Sequence, residues 1–95
     1  MSCNCRKFPF APDPPCFDEC TGRILNSVAE PVLRSMGMPH VDKLIDFRRT
    51  QWIDNLKELT TTRVPGQPTF SASEVNDIRA AFQSITPTQA QQLLP

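Results

Sequence analysis

The sequence is 95 residues long, with ten Lys and Arg against ten Asp and Glu, 39% hydrophobic residues and 21% charged ones. That size permits one domain with one modest core, and the zero net charge removes the attraction on which non-specific binding to nucleic acid or to an anionic membrane depends. No stretch approaches the roughly 20 apolar residues of a membrane span, and no apolar run follows Arg6 and Lys7 to act as a signal peptide, so a soluble, cytoplasmic chain is expected.

Residues 1–15 form an arm rich in cysteine and proline, with Pro9, Pro12, Pro14 and Pro15 among the ten prolines of the chain. Each proline lacks an N–H and restricts its predecessor, so the arm is expected to be extended or turning. Phe8 and Phe10 are its natural anchors onto the body. The helical domain, residues 16–95, begins with a helix opened by Asp13, Pro14 and Pro15 and running to about Glu30. Phe17, Ile24 and Val28, with Leu25 and Val32 more loosely, gather on one side of it. Gly22 weakens this helix, Pro31 predicts a kink or a fresh helical turn in EPVLRSMG, and Gly37 is a natural stop.

The stretch HVDKLIDFRRTQWIDNLKEL predicts one long central helix, with Val41, Leu44, Ile45, Trp52, Leu56 and Leu59 on a shared face. On that periodicity Trp52 belongs to the core. Phe47 and Ile53 project elsewhere, so this helix is either covered on more than one side or presents them, as is preferred here, as a surface for a protein partner or for a homo-oligomer. TTTRVPGQPTF then reads as a loop. Ser71 with Glu74 has the capping-box spacing, and Val75, Ile78, Phe82 and Ile85 supply the apolar edge of the helix it opens. The box returns at Thr86 with Gln89, ahead of a short terminal helix that docks Leu93 and Leu94. The expected fold is therefore all-α: a small single-domain bundle of three to five helices, with the arm laid across the first.

All four cysteines, Cys3, Cys5, Cys16 and Cys20, lie in the first 20 residues. Cys16 and Cys20 share a helix face one turn apart, and the arm is long enough to return Cys3 and Cys5 to them. In a reducing compartment such a cluster reads first as a metal site: four thiolates suit tetrahedral zinc, which would clip down an arm that has no fold of its own. Disulfides crossing from arm to helix are the second chemistry, since a bridge within the helix is geometrically awkward. Plain packing of small thiols at the core edge is the third. An iron–sulfur cluster stands as the alternative cofactor, although the spacings match neither ferredoxin pattern.

His40 is the only histidine, and its ordinary role is a cap or first-turn residue; it could also replace one cysteine in a Cys3His shell. No serine or cysteine has a histidine at motif spacing, the glycines at 22, 37 and 66 make no phosphate loop, and the paired carboxylates fit solvated helix faces. The sequence thus points to a small non-enzymatic interaction or adaptor protein with a structural zinc clip. A thiol redox or iron–sulfur electron-transfer protein built on the same cysteines is the alternative.

Overall fold

Among the described residues the chain is all-helical, as the periodicities require. The computed structural model describes residues 14–86 and 89, with side chains from Cys16 onward. Cys3, Cys5, Phe8, Phe10, Asp13, Leu93 and Leu94 lie outside the described residues. Four α-helices follow in order: α1 (Pro14–Ser27), α2 (Glu30–Ser35), α3 (Val41–Thr50) and α4 (Ala72–Gln83), with a 3₁₀ turn at Leu56–Thr60 between the last two. None of these helices is long and apolar enough to cross a membrane.

Local chemistry sets most of the boundaries. Pro31 opens α2 as a fresh helix because its missing N–H is one of the donors that a first turn leaves unpaired anyway. Gly37, at φ +69°, closes it. There the Gly37 N–H donates to Arg34 O at 3.1 Å and the Met38 N–H to Leu33 O at 3.3 Å, the paired pattern of a Schellman stop, while Met38 and Leu33 are both buried. The Ser71–Glu74 box starts α4 with both reciprocal bonds formed. Thr86 and Gln89 make the same reciprocal pair.

The long central helix does not form. α3 stops at Thr50, and Gln51 turns extended at φ −146° and ψ 124°. From there side chains alternate as in a strand: Gln51 and Ile53 are buried, Trp52 and Asp54 exposed. The reason is tertiary. Asn26 of α1 brackets the backbone of Ile53, donating from Nδ2 to Ile53 O at 2.5 Å and accepting from the Ile53 N–H at 3.2 Å. Gly22, one turn earlier, lies so close to the next stretch of chain that a Cβ there would meet Asn55 backbone atoms at 2.7 to 2.8 Å. Gln51 secures the other side, accepting from the Arg63 N–H at 2.9 Å. Asn55 and Glu58 then form a capping box that launches the 3₁₀ turn.

This break redistributes the side chains. Phe47 and Ile53, expected at a partner surface, are 0% and 1% exposed and belong to the core. Phe47 packs edge-on to Phe70, with ring centroids 5.7 Å apart. The bend after Thr50 turns Ile53 inward and Trp52 outward, so Trp52, expected in the core, is 62% exposed. The remaining apolar sets are buried: Phe17, Ile24 and Leu25 of α1, with Val28 just beyond its end, meet Leu44 and Ile45 of α3, Leu56 and Leu59 of the 3₁₀ turn, and Val75, Ile78 and Phe82 of α4 in one cluster.

Two guanidinium groups tie the helices together. Arg48 donates from Nη1 to Leu25 O at 2.7 Å and also to Val28 O, capping the open C-terminal carbonyls of α1. Burial pushes its pKa down, against the pull of Glu30 and with a smaller push from Arg49. Arg79 of α4 grips Asp18 of α1 with two parallel bonds, Nε to Oδ1 at 2.8 Å and Nη2 to Oδ2 at 2.9 Å. Asp18 is 5% exposed, and its hydrogen bond is the main cause that raises the Arg79 pKa.

Candidate functional site

Cys16 and Cys20 stand on the first turns of α1, four residues apart and so on one face. Cys20 is completely buried and Cys16 half-buried. Both are disulfide-bonded. A sulfur in a disulfide carries no thiolate charge, so in this oxidation state neither Cys16 nor Cys20 is the thiolate ligand that the sequence led one to expect. The other two cysteines, Cys3 and Cys5, lie outside the described residues. Among the described residues no group of three or more His, Cys, Asp or Glu is placed to hold a metal ion.

The turn that carries the cysteines also holds buried polar atoms that meet no partner among the described residues. Glu19 lies between them in sequence, and its Oε2 is buried with no hydrogen-bond partner among the described residues; Arg23 approaches only Oε1, at 3.7 Å. Thr21 Oγ1 is likewise buried and unbonded among the described residues.

His40 precedes α3 in a left-handed conformation, φ +57°, the only non-glycine residue with positive φ among the described residues. Its ring meets the first turns of α4: Nε2 lies 2.9 Å from Asp77 Oδ2 and Nδ1 3.7 Å from Glu74 Oε2. Glu74 is the hub of this cluster. It accepts from the Ser71 N–H and from Lys43 Nζ at 3.0 and 3.2 Å, while the same ammonium sits 4.6 Å from the Phe70 ring centroid. The cluster joins α3 to α4, and His40 acts there as a structural residue.

The Glu74 carboxyl has its pKa lowered, chiefly by the Ser71 N–H and then by Lys43. A lowered carboxyl contributes stability that is complete above the unfolded value, about 4.3, and is lost as pH falls through the folded value. Glu74→Gln keeps a capping-box acceptor without the charge. Thermal unfolding below about pH 4.3 is therefore expected to fall more steeply in the native chain than in this variant. Parallel curves from neutral pH down to acid would show that the Glu74 contacts are not formed.

Trp52 is the one large apolar side chain exposed among the described residues, and its indole N–H donates to Asp54 Oδ1 at 3.2 Å. Periodicity missed it because it was read as helical; the alternation of Gln51, Trp52, Ile53 and Asp54 and the Asn55–Glu58 box were the local signals. Comparison with protein-family models, with curated protein sequences and with solved structures finds no match.

Proposed function

We propose that this chain is a small non-enzymatic interaction module in which Trp52 anchors the contact with a protein partner or a second copy, and in which the N-terminal arm is fastened to α1 through the cysteines. The exposed indole carries this proposal. It projects from a segment held on both sides, by buried Gln51 and by the Asn26 bracket on Ile53, so docking it orders little that is not already ordered. Tryptophan is also the side chain most enriched among residues that dominate binding energy.

Support for the fastening comes from helix geometry. Residues four apart on a helix hold their Cβ atoms about 5–6 Å apart, beyond the roughly 3.5–4.5 Å that a disulfide spans. Cys16 and Cys20 are both bonded, and the sequence has two further cysteines, so in this proposal the bonds run to Cys3 and Cys5.

Trp52 is the only tryptophan, which makes its fluorescence a direct reporter. Complex formation is expected to shift its emission to the blue. Trp52→Ala should weaken the complex by about 30-fold, the effect of losing about 2 kcal/mol at an anchor residue, while Lys57→Ala leaves it intact. Affinity purification with both variants, alongside sedimentation of the native chain, tests this. Identical partners on both variants with no self-association would overturn the proposal.

The oxidised state of Cys16 and Cys20 favours one second reading, a thiol redox protein. Its measure is the reduction potential in a glutathione buffer: structural bridges resist reduction with potentials below about −300 mV, whereas catalytic dithiols lie well above that.

A further inference from the structure

We infer, resting on the proposed anchor role of Trp52, that the chain forms a two-fold dimer in which Trp52 of each copy pairs with Trp52 of the other across an antiparallel strand edge. The backbone of residues 51–55 carries this. One carboxamide, that of Asn26, meets both the N–H and the C=O of Ile53, a geometry given by an extended residue, whose two groups point the same way. Gln51 and Asn55 on either side have extended dihedrals as well. In such a stretch neighbouring residues present their polar groups to opposite edges, so the N–H and C=O of Trp52 face away from the Asn26 side.

The other N–H groups of the stretch are already bonded. Gln51 N–H donates to Phe47 O at 3.1 Å, and the N–H groups of Asp54 and Asn55 both donate to Glu58 Oε2, at 2.5 and 2.9 Å. Trp52 remains: among the described residues neither its N–H nor its C=O has a partner. One donor and one acceptor thus stand together on one residue that also carries the exposed indole. A foreign strand gains little from this edge, because Thr50, two residues before, belongs to α3, and the Asp54 N–H, two residues after, is held by Glu58. A second copy loses nothing by that limit. Two identical residues in an antiparallel pair exchange both N–H···O=C bonds with each other, which is the arrangement a two-fold axis makes. The pairing also sets two indoles side by side on one face, where each covers a side chain left exposed in the single chain. With ten basic against ten acidic residues, no net charge holds the copies apart.

Sedimentation equilibrium of the full-length chain over a concentration series, with far-ultraviolet circular dichroism and amide hydrogen exchange at each step, tests this. The expected result is a monomer–dimer equilibrium, with an exciton couplet between the paired indoles and a slowing of Trp52 N–H exchange that both grow with the dimer fraction. Trp52→Ala should weaken self-association by about 30-fold or more, since each dimer loses both anchors, with helical content unchanged. Trp52→Phe keeps a ring and the backbone bonds, and should retain most of the association while losing the couplet. A chain that stays monomeric up to about 1 mM, association of equal strength in Trp52→Ala, or a dimer without the couplet would overturn the inference. Affinity purification separates its failure from that of the anchor role. A monomeric chain with a partner that Trp52→Ala releases refutes the second copy alone, whereas a monomeric chain whose partners are the same with and without Trp52 refutes both.

Discussion

Gly22→Ala is expected to destabilise the protein by about 3 kcal/mol, the upper part of the range for overpacking a closed contact, and to lower the melting temperature by about 15 °C for a chain of this size. Helix propensity predicts the opposite sign. In an exposed helix interior, alanine in place of glycine stabilises by about 1 kcal/mol. The added Cβ would stand 2.7 Å from the carbonyl carbon of Asn55 and 2.8 Å from its Cα and N. These are backbone atoms, so no rotamer relieves the clash. α1 must instead lift away from residues 53–55, which pulls Asn26 from Ile53 and opens the core beneath Ile53 and Leu56. Arg23→Ala, on the exposed side of the same turn, is the control and should change the melting temperature little. Thermal unfolding followed by circular dichroism decides it, and a rise for Gly22→Ala would show that α1 does not cross the chain at Asn55.

The same contact explains which parts of the fold were legible in the sequence. α4 was readable from Ser71, Glu74, Val75, Ile78 and Phe82 because its cap and apolar edge are local. Pro31 and Gly37 marked the limits of α2 for the same reason, since each acts through its own backbone. The stretch from His40 to Leu59 was misread because Leu44, Ile45, Trp52, Leu56 and Leu59 sit at spacings that fit one helix, while the determinants of the break lie elsewhere. Asn26 and Gly22 supply a dock for residues 53–55 from 27 or more positions away. Periodicity within a window cannot register that. Assigning Ile53 to a surface followed from the same misreading, as did placing Trp52 in the core, whereas Phe47 stays helical in α3 and is buried because Phe70, from the distant loop, packs on it. The cysteines were legible as a cluster, but whether their sulfurs are thiolates or disulfides depends on redox surroundings that a spacing does not encode.

Asp18 stands in the opening turns of α1, yet its carboxylate is committed to Arg79, 61 residues away, and this pair should give the second large effect. Arg79→Met is expected to destabilise by about 3 kcal/mol, the scale for breaking a buried ion pair from one side. Methionine keeps the apolar packing of the side-chain stem and leaves Asp18, only 5% exposed, as a buried carboxylate with its two guanidinium bonds gone. The reverse change should be milder. In Asp18→Asn the amide still accepts one hydrogen bond, and Arg79 keeps its bond to Asn76 Oδ1 at 2.5 Å and its access to solvent, so about 1 kcal/mol is expected, a typical net hydrogen-bond contribution. The double variant should therefore be more stable than Arg79→Met alone, because the buried charge has been removed along with its partner. Urea unfolding of the native chain and the three variants closes the cycle. Equal losses in the two single variants, adding in the double, would mean that Asp18 is hydrated and that α1 and α4 are joined by their apolar faces alone.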